Sequence, residues 1–263
     1  MDLEIEGDSA LVTASSSGLG KAAATRLAEE GANVVLNGRD EDRLQDAVEE
    51  VREVAEGDVV GHAADLTDAD AITTLVDRTV EEFGGLDHLV TNAGGPPSGP
   101  FLETTDEEWY DAYDLLVMSV VRLVRESAEH LQEGDGGTIV TIASRSVKEA
   151  IPSLVLSNAV RMGVVGLEKT LSKELAPEIR ANAVLPAPHE TDRTVELIEQ
   201  GVERGEYESY EQGLEERGAP IPLGRIGDPM ELGDAVAYLS SERSSFINGV
   251  AIPVDGGLGA SNL

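Results

Sequence analysis

The chain has 263 residues, enough for one large core or two small ones, and no apolar run approaches the roughly 20 residues of a membrane-spanning helix. There is no cysteine, and the four histidines (His62, His88, His130, His189) lack metal-ligand spacing, so disulfides and thiolate metal sites are excluded and no metal is expected. Acidic residues outnumber basic ones 51 to 19, a net charge of -32 that opposes any nucleic-acid partner.

Residues 10–14 read as a strand and 18–31 as a helix that Gly31 ends. Strand 32–38 leads to a helix over 40–56, and strand 58–66 to a helix over 68–83. Strand 86–94 runs into a Gly/Pro loop, 94–100. A long helix is predicted over 106–131, with Leu115, Leu116, Val117, Val120, Val121 and Val124 as its apolar positions. Strand 138–143, a helix over 153–176 and strand 179–186 follow. The polar stretch 189–218 predicts one or two helices over an opening, a lid on the substrate side. A last helix, 228–240, and strand 249–257 complete the pattern. Strands that alternate with helices imply parallel crossovers with helices on both faces. The expected fold is therefore a Rossmann-type doubly wound α/β sheet in a single domain, 1–263.

The acid is spread over the whole chain beside ordinary hydrophobic periodicity. It reads as a solvated shell suited to high salt, where screening removes self-repulsion. Only four basic residues are lysines (Lys21, Lys148, Lys169, Lys173). A halophilic source, an archaeon, is expected, with structure lost in dilute salt. The opening MDLEIEGDSALVTASSSG is acidic and enters a strand at once. No signal peptide, no membrane partner and a cytoplasmic location are expected.

The segment Thr13-Ala14-Ser15-Ser16-Ser17-Gly18-Leu19-Gly20 joins the first strand to the first helix. Small residues there let the backbone approach a pyrophosphate that the helix N-terminus faces. Thr13, Ser15, Ser17, Gly18, Leu19 and Gly20 are the candidate contacts, with Gly18 and Gly20 giving the close approach. An ordinary tight turn is the alternative. At the end of the second strand an acid would bind the ribose diol of NAD. This chain has Asn37-Gly38-Arg39 instead. Gly38 leaves room and Arg39 offers a donor fork to a phosphate, which favours NADP(H) over NAD(H) unless Arg39 merely begins a helix at the surface. Asp65, beside Leu66, can accept from an adenine amino group. Asn92, Ala93 and Gly94 would line the adenosine and ribose side, although Asn92 can instead cap a turn.

By its motifs the chain resembles the short-chain dehydrogenase/reductase family over nearly its whole length, and within it the 3-oxoacyl-(acyl-carrier-protein) reductases. The matching pieces are TASSSGLG, the Ala63-Ala64-Asp65-Leu66 turn, TNAGG (91–95), TIVTIAS (138–144), NAVLPA (182–187) with Thr191 after it, and the C-terminal segment 222–257. The resemblance implies dinucleotide binding that also involves Pro186 and Thr191, the latter near the nicotinamide carboxamide. It implies a small-molecule carbonyl or alcohol substrate held under 189–218, and a homotetramer. The helices of 106–131 and 153–176 would pair across a two-fold axis through apolar Val155, Val164, Val165 and Leu167, unless these residues only cover the sheet.

The family's first glycine is Ala14 here. Its catalytic set departs further. The family uses a serine to hold the carbonyl oxygen, a tyrosine to exchange the proton, a lysine four residues later, and an asparagine on the long helix. Registering on GLEKTLSKELAP (166–177) puts the tyrosine position at Ser157 and the lysine at Arg161, and retains the serine as Ser144. Registering on Trp109 puts the asparagine at Leu116. A serine hydroxyl is a far poorer acid than a phenol, and Arg161 stays protonated, although it can still bind a ribose or pyrophosphate. His189 is a candidate replacement acid facing the nicotinamide, or a solvent-facing loop residue. Tyr110 and Tyr113 lie on the long helix, and Tyr113, three residues before Leu116, can approach the same face or simply pack. Arg145 can meet an anionic substrate or lie at the surface.

Three readings follow. One is an NADP(H)-dependent oxidoreductase acting on a carbonyl, such as a 3-oxoacyl thioester, or a secondary alcohol, with Ser144, Ser157, Arg161 and His189 as catalytic candidates. Another is a weak or inactive dinucleotide-binding protein with a sensing or assembly role. A dehydration or isomerisation on the same fold is a third possibility.

Overall fold

The computed structural model describes residues 2–134 and 136–261. Seven strands form one parallel sheet in the order β3-β2-β1-β4-β5-β6-β7. They are β1 (Ser9–Val12), β2 (Asn33–Gly38), β3 (Val59–Ala63), β4 (His88–Thr91), β5 (Gly137–Ile142), β6 (Ile179–Pro186) and β7 (Ala251–Val254). Leu11 sits in register with Val35 on one side and Leu89 on the other, at the centre of the sheet. The doubly wound α/β fold read from the sequence is the fold observed.

Helices α1 (Gly18–Glu29) and α9 (Pro229–Ser240) cover one face, over Ala10, Val12, Val34 and Leu36. Their close approach depends on small residues: a side chain at Gly233 would lie 2.7 Å from the Ala22 carbonyl oxygen. Helices α3 (Ala69–Phe83), α5 (Ser119–Leu131) and α6 (Val155–Glu174) cover the other, over Leu11, Val35, Leu89 and Ile139. Alternate strand residues thus feed opposite cores, as parallel strands buried on both faces require. Helix α2 (Glu41–Arg52) begins at Asp40, whose carboxylate accepts from the Arg43 N–H. Asp68 caps α3 in the same way, and Gly84 ends it in the left-handed conformation. The lid stretch forms two helices, α7 (Asp192–Glu203) and α8 (Tyr210–Gly218). Among the described residues no helix is long and apolar enough to cross a membrane.

The predicted helix over 106–131 is not uniform. Helix α4 (Asp106–Tyr113) opens with a Thr105–Glu108 capping box and passes through a π-helical turn, Asp114–Met118, into α5. The Ser119 hydroxyl bonds back to the Leu115 carbonyl at 2.5 Å, where the helix resumes α geometry. On α6, Val164 is buried within the subunit and Val155 and Leu167 pack against its core. These three positions cover the sheet, whereas Val165 on the same helix is half-buried and Met162 is 52% exposed.

The inner face of α6 also buries an acid. Glu168 is 2% exposed, and its Oε1 accepts from the Thr141 hydroxyl at 2.5 Å. Thr141 in turn meets the Thr91 hydroxyl at 2.7 Å, while Glu168 Oε2 has no partner among the described residues. Burial pushes the Glu168 carboxyl from 4.5 up to about 8. Between those values the folded chain holds a proton that the unfolded chain has released. Stability therefore falls as pH rises from 4.5 to about 8, by up to about 1.4 kcal/mol per unit, and then levels. Glu168→Gln stays neutral, so its denaturant-unfolding free energy should lose that slope relative to the parent between pH 5.5 and 8. Parallel slopes would contradict this.

Candidate active site

A cleft of about 570 Å³ opens at the carboxyl ends of β1, β2 and β4. It lies where the strand order reverses, the position at which open α/β sheets bind ligands. The turn after β1 forms one wall. Ser16, Ser17, Gly18 and Leu19 line it, and the N-terminus of α1 starts there with a Ser17 side chain that makes no capping bond. Ala14 occupies φ +45°, a left-handed conformation for a residue with a Cβ. Its N–H donates to Asn37 Oδ1 at 3.2 Å, and its carbonyl accepts from Asn92 Nδ2 at 3.0 Å. The strained residue is thus held from both sides.

Thr13 and Ser15 have roles other than those expected. Both are fully buried. The Thr13 hydroxyl donates to the Asn92 carbonyl at 2.8 Å and accepts from the Asn92 N–H at 2.8 Å. The Ser15 hydroxyl donates to the Val12 carbonyl at 2.7 Å and accepts from the Asn37 N–H at 2.9 Å. They tie β1 to β4 and β2 and do not line the cleft. Gly20 is likewise a packing residue: a Cβ there would lie 2.5 Å from the Ala14 carbonyl oxygen and 2.7 Å from Asn92 Nδ2. Asn37, which sequence reasoning passed over, closes the network by donating to the His62 and Ala64 carbonyls at 3.2 Å each. Its signal was a lone amide at the end of an apolar strand.

Arg39 lines the opposite wall with Gly38, Asp65 and Leu66, and Asn92, Ala93 and Gly94 line the same cleft. A Cβ on Gly38 would meet the Ser16 side chain at 2.9 Å, so Gly38 makes room for the turn itself. Hydrogen bonds from the Thr67 N–H and hydroxyl, at 2.9 and 2.8 Å, hold the Asp65 carboxyl below its ordinary pKa. Arg43 is a second, unforeseen guanidinium on this wall, 3.5 Å from Asp192 at the start of α7. Thr191 reaches the cleft, with its side chain beside Gly18. Pro186 ends β6 and is not among the lining residues.

At the end of β5, the Ser144 hydroxyl accepts from the Ser146 N–H at 3.1 Å. The Ser146 hydroxyl lies 3.2 Å from that of Ser157 on α6. One turn further, Arg161 donates from Nη1 to the Ala143 carbonyl at 3.2 Å, and its Nε has no partner among the described residues. Burial alone lowers its pKa to about 10, so it stays a cation at neutral pH. Asn158 pins the loop below by bonding both the N–H and the carbonyl of Ile151, at 3.1 and 2.9 Å. The structure therefore gathers Ser144, Ser157 and Arg161, and adds Ser146. Leu116 is buried in the apolar core beside Leu156 and Val160.

His189 is not gathered with them. It is 4% exposed, its Nδ1 lies 2.7 Å from the Ala187 carbonyl oxygen, and its ring rests on Gly227, where a Cβ would come within 2.6 Å. It lines a separate cavity with Pro188, Ile221 and Arg225, and burial lowers its pKa. The expectation that it faces the nicotinamide is corrected: it lines this separate cavity and is not among the residues that line the cleft. Tyr110 and Tyr113 are 75% and 51% exposed, and Arg145 pairs with Glu149 at 3.2 Å. Among the described residues no three His, Cys, Asp or Glu side chains converge as metal ligands would.

Ala14→Gly should relieve the left-handed strain, worth about 1 kcal/mol, and raise the thermal midpoint by about 2–4 °C. A lower midpoint would contradict the strain argument.

Residues 13–259 match the family profile described as Enoyl-(Acyl carrier protein) reductase. The 3-oxoacyl-(acyl-carrier-protein) reductase of Thermotoga maritima is 32% identical over 97% of this chain and 99% of its own length. The L-sorbose reductase of Gluconobacter frateurii, solved with NADPH and L-sorbose, superposes with a TM-score of 0.94 at 31% identity, over 99% of this chain and 100% of that one. An NAD+-bound xylitol dehydrogenase superposes at 0.86 with 26% identity, over 97% and 100%. With its sheet order, its cleft at the strand reversal and these likenesses taken together, the chain belongs to the short-chain dehydrogenase/reductase family.

Proposed function

We propose that the chain is an NADP(H)-dependent oxidoreductase that interconverts a small carbonyl compound and its secondary alcohol, with an atypical proton source. Its relatives act on such substrates and use a nicotinamide dinucleotide, NADPH in one case and NAD+ in another. The cleft fits the group: a turn that tolerates no Cβ at Gly20, a helix N-terminus at Gly18, and two guanidinium groups, Arg39 and Arg43, on the adenosine wall. In a chain with 19 basic residues, that pair of arginines is the observation that favours NADP over NAD. When bound, the dinucleotide supplies or accepts a hydride.

Ser17, Gly18, Leu19 and Thr191 would hold the pyrophosphate and nicotinamide side, with Pro186 in its backbone. Asp65, Leu66, Asn92, Ala93 and Gly94 would hold the adenosine and ribose, and Arg161 would donate to the nicotinamide ribose. The Ser144 hydroxyl already accepts an N–H from Ser146, which leaves its own proton free for a substrate carbonyl. Ser157 and Ser146 extend that donor set, and Arg161 supplies fixed positive charge. None of them is a ready acid at neutral pH, so the proton comes slowly or from water. The buried, apolar Leu116 at the relay position favours a second reading, a dinucleotide-binding protein of weak or no turnover. Residues 189–218 would act as the substrate-side lid, with a homotetramer, a cytoplasmic location and a halophilic source completing the reading.

NADPH oxidation in molar KCl against a carbonyl panel that includes a 3-oxoacyl thioester tests turnover. Arg39→Asp should reverse the preference for NADPH over NADH, by about tenfold or more in Kd ratio. An unchanged ratio would contradict the role given to Arg39.

A further inference from the structure

Among the described residues Arg161 is a buried cation without a counterion. It is 9% exposed, one nitrogen is spent on the Ala143 carbonyl, and no carboxylate contributes to its titration. A buried charge of this kind is unfavourable until an anion meets it. The surrounding sequence repeats the theme. Between Gly136 and Leu167 the chain has one acidic residue, Glu149, against Arg145, Lys148 and Arg161, in a protein where acids outnumber bases 51 to 19. Glu149 is occupied by Arg145 and by the Ala260 N–H, which leaves it no role in neutralising Arg161.

We propose that Arg161 receives a carboxylate of the substrate, so that the compound reduced is a 2- or 3-oxo acid. The proposal rests on the oxidoreductase reading above. Ribose hydroxyls can satisfy its donors but are neutral, and the pyrophosphate is assigned to the N-terminus of α1, so the charge on Arg161 stays available. The guanidinium bonds the carbonyl of Ala143, next to Ser144 in the chain. That adjacency places the anion close to the carbonyl oxygen held by Ser144, hence a short oxo acid. One guanidinium also matches one carboxylate in charge and in fork geometry. At the position where the family has a tyrosine, Ser157 carries a side chain smaller by a phenyl ring. In the reaction the carbonyl carbon gains a hydride from the reduced dinucleotide, and the C=O π pair moves to oxygen. That oxygen takes a proton from water, which yields the hydroxy acid, the oxidised dinucleotide and hydroxide.

The test uses the complex with NADP+, in which an oxo compound cannot react. Calorimetry at constant ionic strength compares 2-oxobutanoate and 3-oxobutanoate with their methyl esters. The intact chain should bind one acid at least about tenfold more tightly than its ester. Arg161→Gln should reduce that ratio to about twofold or less, and Arg161→Lys should keep part of it. A ratio cancels any loss in cofactor affinity common to both ligands. Equal binding of acid and ester by the intact chain, or a ratio that Arg161→Gln preserves, overturns the proposal. Arg161-dependent acid binding without NADPH oxidation would uphold the anion site and overturn the oxidoreductase reading.

Discussion

The chain lays β2 and β3 on one side of β1, then crosses back through α3 to put β4 on the other. That reversal splits the loops at the carboxyl ends of β1 and β4 and opens a crevice between them. Everything placed in the crevice depends on how tightly the three strand ends are fixed. Asn37 bonds the Ala14 N–H and two β3-side carbonyls, and Asn92 bonds the Ala14 carbonyl. Two amides and two hydroxyls, Thr13 and Ser15, thus replace the freedom that a glycine at position 14 would have given. The turn keeps its shape with an alanine because its partners over-determine it.

The buried face of α6 carries the second constraint. Leu156, Val160 and Val164 pack on the sheet, and Ser157, Arg161 and Glu168 share their side. Arg161 and Glu168 stand about 10 Å apart along the helix. The pKa of each is moved by burial and not by the other. At neutral pH one is a lone cation and the other a neutral acid, not an ion pair. The cation lies beside Ser144 and the acid lies deep behind Thr141. The same helix therefore holds a buried cation in its N-terminal half and a buried acid with a pH-dependent cost in its C-terminal half.

The fold was legible because strand and helix periods alternate without interruption, and parallel strands admit few connections. The cleft was legible in outline, since Gly18, Arg39, Asp65 and Asn92 follow strand ends. Which side chains face it was not. Thr13 and Ser15 look like ligand hydroxyls in a motif, yet their partners are main-chain groups of strands far away in sequence. Arg43 lies a full helical turn past the strand end, where spacing gives no signal. His189 looked available because it follows the turn after the strand over 179–186, but the bare backbone of Gly227 admits its ring to the interior. Ser146 has meaning only through α6, eleven residues on.

The proposed function implies a separation in which dinucleotide recognition is kept while the proton donor is replaced. Restoring the donor tests this most directly, through the variant Ser157→Tyr with Arg161→Lys, assayed for NADPH-dependent reduction of a neutral ketone. The account predicts a rise of about 10²–10⁴ in kcat, with NADPH affinity within a few-fold of the parent. A folded variant that binds NADPH and turns over no faster than the parent would contradict it.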